Sequence, residues 1–194
     1  AFGQHAQQKS MQVDWSGGAL ATTVDPFLFV HGALMNVAWL VVAPFAALSA
    51  ITKSKTGWVG LHWKLMSLAL VLSLTAVLLL VISKGFIIAE IHHIIGWCAV
   101  FLMVCQVAMG FLRPHAPEQG EEASSNRKLF STAHKSLGRL LLLLAMGNLF
   151  SGVLFLPSAL APVPPIALQV LVFALAGTWF SVLAWMTYKS KQSA

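Results

Sequence analysis

The sequence predicts an all-α membrane protein with five transmembrane helices, four of them forming a bundle and the fifth lying at its periphery. Of 194 residues, 58% are hydrophobic and only 9% charged, and the mean hydropathy is +0.79, outside the usual range of a soluble globular domain. Five apolar runs, residues 27–51, 61–83, 90–112, 134–156 and 163–187, each supply the roughly 20 helical residues that a hydrocarbon core of about 30 Å requires. Backbone in lipid must satisfy its own N–H and C=O groups, so the runs are expected to be helices.

Residues 1–26 form a polar, Gly-containing stretch, expected to be an extracellular linker after a further extracellular portion. Pro44 is expected to kink the first span. Cys98 and Cys105 stand seven residues apart on the third, about 10.5 Å along one helix axis, too far to bridge, and read as buried thiols. Residues 113–133, "RPHAPEQGEEASSNRKLFSTA", are expected to be a cytoplasmic loop. "PSALAPVPP" has no charge and much proline, as in a tight outer turn. The fifth span carries none of the patterned polar residues of the other four, and is expected to be peripheral. The organisation expected is thus a linker (1–26), a transmembrane domain (27–187) and a cytoplasmic tail (188–194).

Basic residues orient the chain. Lys53, Lys55, Lys64, Arg113, Arg127, Lys128, Lys135, Arg139, Lys189 and Lys191 all fall on the side of loop 1-2, loop 3-4 and the C-terminus, and only Lys9 and Lys84 lie opposite. The positive-inside rule then puts the N-terminus outside and the C-terminus in the cytoplasm, in the plasma membrane or an endomembrane. The net charge of +6 describes topology and does not call for nucleic acid as a partner; membrane lipid is the surrounding partner, and a homodimer is left open.

Four histidines, one per span, sit near span starts: His31, His62, His92 and His134. Alternating helix direction makes two pairs, His31 with His92 at the outer end and His62 with His134 at the inner end. Two imidazoles facing each other across a bundle suit the two axial positions of a haem iron, and the absence of CxxCH excludes covalent c-type attachment. Gly96 and Gly138 follow His92 and His134 by four residues, on the same face one turn deeper. Gly110 and Gly152 follow by eighteen, five turns or about 27 Å on. Each of these helices therefore offers a ligand to one flat group and a notch to the other. His93 points about 100° away from His92 and lacks the glycine register. Gln106 and Asn148, fourteen after their histidines, either bond a haem edge or tie helices together. Met35 and Met66 stand four after His31 and His62, where packing is the better reading than ligation. His5 and His115 fall in linker and loop.

"HGALM", "LHWKLM", "HHIIG...Q...GFLRP" and "H...GR...N...G", over residues 31–152, resemble the motifs of the cytochrome b561 family, in particular the branch whose transmembrane part follows an extracellular DOMON domain. The resemblance implies two non-covalent b haems, with iron bound by His31 and His92 outside and by His62 and His134 inside. It also implies an oxidoreductase that passes electrons from cytosolic ascorbate, or a similar reductant, to a ferric chelate, monodehydroascorbate or a fused DOMON domain. Arg113, Lys135 and Arg139 flank the inner site and are candidates for holding an anionic donor or haem propionates. The alternatives are a quinol-oxidising di-haem subunit and a haem-binding membrane protein without turnover. A transporter is disfavoured by the lack of a deep carboxylate.

Overall fold

The computed structural model describes residues 25–53, 57–114, 122, 124–153 and 165–192. All regular structure among them is helical, in α1 (Pro26–Thr52), α2 (Trp58–Lys84), α3 (Ile91–Phe111), α4 (Ser125–Val153) and α5 (Pro165–Gln192). Each is long and apolar enough to cross a membrane. Most of the linker, with His5 and Lys9, together with Lys55, His115, the proline-rich turn and the last two residues, lies outside the described residues.

Local chemistry sets the helix ends. Asp25 caps α1 by accepting from the Phe27 N–H at 2.9 Å, and Pro26 takes the first helical position, where its missing N–H costs nothing. The disturbance expected at Pro44 takes the form of a π turn over Val37–Val42, with the Ala43 N–H reaching back five residues to the Ala38 carbonyl. Proline offers no N–H and crowds the carbonyl four residues back, and the wider turn relieves both. α2 is bounded by Gly57 and Gly85, at φ 87° and 79°, a region open to glycine at little cost. In α3, Glu90 and His93 form a reciprocal cap.

Several helix ends extend past the expected apolar runs. α4 begins at Ser125, so residues 125–133 are helix and not loop. The Ser124 hydroxyl accepts from the Arg127 N–H at 3.3 Å, an N-cap that starts the helix among polar residues. Hydropathy marks where a helix enters lipid, not where it begins. α5 likewise continues past residue 187 to Gln192.

α1 and α2 run antiparallel: Asp25 at one end meets Lys84 at 2.6 Å, and the His62 ring near the other end meets Ala46. α3 and α4 are antiparallel in the same way. Small buried residues, Ala38, Ala43, Ala46, Ala69, Ser73, Ala76, Ala99 and Ala145, allow close backbone approach where lipid supplies no hydrophobic drive between helices. Large apolar side chains point outward, such as Ile82 at 69% and Phe101 at 68% exposure, as a lipid-facing surface requires. Cys98 is also exposed and Cys105 only partly covered, so the expectation of two buried thiols is corrected: Cys98 lies on the outward face of α3. α5 rests on the outside, with Trp179 against Phe45 of α1 and Phe173 against Phe150 of α4. Only 11% of its apolar stretch is buried, the least of the five.

Lys84 hydrogen-bonds the Asp25 carboxyl and holds it below its ordinary value of 3.8. A carboxyl depressed on folding contributes stability above that value, lost as pH falls through the lower folded one. Because solvent reaches both side chains, Lys84 more than Asp25, Lys84→Met should cost no more than about 1 kcal/mol at pH 7. The difference from wild type in thermal unfolding should vanish once Asp25 is protonated.

Candidate functional site

The four span histidines are each half-buried, two at the end where most basic residues gather and two at the far end. At the basic end His62 of α2 and His134 of α4 have ring centres 6.3 Å apart, inclined at 77°. Metal–imidazole bonds are about 2.0–2.1 Å, and with each ring centre roughly an ångström behind its nitrogen, one metal between two rings requires a spacing close to this. His62 Nδ1 donates to the Ala46 carbonyl at 2.7 Å.

At the far end His31 Nδ1 donates to the Ala76 carbonyl of α2 at 3.1 Å, and His92 Nδ1 to the Asn148 carbonyl of α4 at 3.1 Å. His31, His92 and His93 lie within electrostatic range of one another at this end. A carbonyl only accepts, so in His31, His62 and His92 the proton resides on Nδ1 and the lone pair on Nε2. That is the tautomer of a metal-ligating imidazole whose other nitrogen is held by the protein. His134 differs: its Nδ1 is buried with no hydrogen-bond partner among the described residues, and Phe130 stacks on the ring at 5.5 Å and 10°. Spacing at one end and tautomers at three of four positions fit bis-histidine haem ligation.

His93 has another task. Its Nδ1 accepts from the Glu90 N–H at 3.2 Å, closing the cap of α3, while His92 turns toward α4. The glycines divide into two kinds. A Cβ on Gly152 would lie 2.8 Å from His92 Cε1, and one on Gly96 would lie 3.2 Å from Asn148 Nδ2, so these two let α3 and α4 approach closely. A Cβ on Gly110 or Gly138 would meet nothing within 4 Å, which leaves room for a flat group against the backbone. Gln106 Nε2 donates to the His134 carbonyl at 3.2 Å, so it ties α3 to α4, and the Asn148 main chain does the same through His92. Met35 and Met66 pack on the apolar core.

Among the basic candidates, Arg113 lies over the Trp58 ring at 5.7 Å, with Lys53 at 5.8 Å from the same ring. Arg113 is also within electrostatic range of His134. Lys135 and Arg139 are exposed on α4; five residues turn a helix by about 140° relative to His134, which carries Arg139 away from it. Trp58, Phe130 and Ser151 carry no signal in the sequence, because their roles arise only from contacts between neighbouring turns and helices.

The family model for eukaryotic cytochrome b561 matches residues 27–156. A relative from Arabidopsis thaliana, a cytochrome b561, DM13 and DOMON domain-containing protein, is 30% identical over 152 residues, covering 75% of this chain. The chain spans only 17% of that relative's length. With its motifs set among five helices long and apolar enough to cross a membrane, the chain belongs to the cytochrome b561 family.

Proposed function

We propose that the chain carries electrons across the membrane between two non-covalent b haems, one held by His62 and His134 and the other by His31 and His92. Membership of the cytochrome b561 family supports haem b binding and transmembrane electron transfer. The observation that carries the two-site reading is the hydrogen bonding of His31, His62 and His92, each with Nδ1 on a backbone carbonyl of a neighbouring helix. Haem iron, when bound, supplies reversible one-electron exchange. The chain supplies ligands in a fixed tautomer, separation of the two ends, and a core of Trp39, Met103, Leu141 and Leu142 that excludes water between them.

The reductant is cytosolic ascorbate or a similar anion, met at the basic end. Arg113 is the best-placed cation there, with Lys135 and Arg139 flanking. The acceptor at the far end is a ferric chelate, monodehydroascorbate, or a DOMON domain such as the Arabidopsis relative contains. With the N-terminus outside, electrons move outward, and an inside-negative potential favours this by about 2.3 kcal/mol per 100 mV for each charge. Vesicles loaded with ascorbate, with the protein's basic end inside, should reduce external ferricyanide. A protein that binds haem but passes no electrons in this arrangement would overturn the reading. Loss of a charge-assisted hydrogen bond costs about 1.5–3 kcal/mol, so Arg113→Ala should slow reduction from the loaded side by about tenfold or more, and Arg139→Ala by less.

A further inference from the structure

α4 carries one histidine of its own and supports another, and the two are held differently. His92 Nδ1 lies 3.1 Å from the Asn148 carbonyl and 3.1 Å from the Ser151 hydroxyl. Ser151 is itself oriented: its hydroxyl donates to the Asn148 carbonyl at 2.9 Å and lies 3.2 Å from Asn148 Oδ1. A hydroxyl has one proton and two lone pairs. With the proton directed at an Asn148 oxygen, only lone pairs remain for His92, so the ring must donate through Nδ1. Gly152, the next residue, backs the same ring so closely that any Cβ would collide with it. The Asn148 carbonyl and the Ser151 hydroxyl together therefore fix the tautomer of the His92 imidazole, and Gly152 makes room for its position. His134, by contrast, has its Nδ1 buried with no acceptor among the described residues.

We propose that Ser151 is a positioning residue that helps set the potential of the far-end haem by sharing the His92 Nδ1 proton with the Asn148 carbonyl, each acceptor lying 3.1 Å away. The inference rests on the reading of His92 as an iron ligand. Donation through Nδ1 polarises the ring toward imidazolate and raises electron density at Nε2, and ferric iron gains more from that density than ferrous iron does. Hydrogen bonding of the axial ligand is one of the protein's means of setting a haem potential. Ser151 therefore lowers the potential of the far-end site, and α4 exerts no equivalent pull through the Nδ1 of His134.

The test is an anaerobic redox titration of the intact protein, followed by haem absorption, for wild type, Ser151→Ala and Ser151→Thr. In the alanine variant both haems should remain bound and one of the two midpoints should rise. At a fixed potential the ferrous-to-ferric ratio of that haem should increase by about two- to threefold, the lower end of one net hydrogen bond, because the Asn148 carbonyl still accepts from Nδ1; tenfold would be about 59 mV for a one-electron couple. The component that moves should be the one missing from His31→Ala. Threonine, which keeps the hydroxyl, should restore the wild-type midpoint. Unmoved midpoints, equal movement of both, or a downward shift would overturn the proposal. If alanine releases the far-end haem, Ser151→Cys, with its weak acceptor, should keep the haem and show a smaller upward shift, and no shift there would be equally decisive. Wild-type protein without haem would sink the proposed function itself, whereas two haems with midpoints indifferent to residue 151 would sink only the role of Ser151.

Discussion

Replacing His92 by alanine should remove one haem and leave the other, while replacing His93 by alanine should leave both. The two histidines are adjacent, yet the structure gives them different work. His92 turns toward α4, where the Asn148 carbonyl and Ser151 hydroxyl take its Nδ1 proton and Gly152 makes space for the ring. His93 accepts from the Glu90 N–H, a helix-capping bond whose loss costs about 1 kcal/mol. Haem content by pyridine haemochrome should therefore fall by half in His92→Ala, and thermal unfolding should shift only slightly in His93→Ala. Loss of haem on changing His93, with retention on changing His92, would reverse the assignment of ligand and cap.

The second large effect is expected at the glycines, and it should take two forms. In Gly152→Leu even the first side-chain carbon would lie 2.8 Å from His92 Cε1, a contact that forces the ring off its hydrogen bonds. Overpacking of this kind typically costs about 1–3 kcal/mol, so both the stability of haem-free protein and far-end haem binding should fall. Gly138→Leu differs because a Cβ there meets no protein atom within 4 Å. If a porphyrin lies against that backbone, the leucine variant should lose haem while haem-free protein unfolds as wild type does. Unchanged haem content in Gly138→Leu would remove the notch.

The spans were legible because lipid imposes one simple demand, an apolar run of sufficient length, and all five helices stand where such runs occur. The start of α4 was not, since its first turns are polar and lie beyond that demand; the Ser124 cap was the available signal. Pro44 announced a disturbance in α1, but whether a helix answers with a bend or a π turn depends on packing around Trp39 and Ala43. In the site, helical periodicity puts His92 and His93 on different faces, and their hydrogen-bond partners differ accordingly, because phase on one helix is a local property. The Glu90 and His93 cap is local too, and was readable as an acidic residue three positions before a side chain able to answer it. Ser151 and Phe130 were beyond reach. Their meaning lies in where α3 meets α4 and in how the His134 ring is turned, neither of which periodicity specifies. Arg139 follows His134 by five residues, a phase of about 140° on the helix, while Arg113, beside Trp58, comes within electrostatic range of His134 only through the meeting of different helices.

The most direct measurement is the ratio of haem to polypeptide in purified protein, by pyridine haemochrome, in wild type and in His62→Ala. Two b haems per chain in wild type and one in the variant are expected, since His62 and His134 form one site and His31 and His92 the other. One haem per wild-type chain, or loss of both in His62→Ala from a protein that still folds, would contradict two independent histidine-held sites.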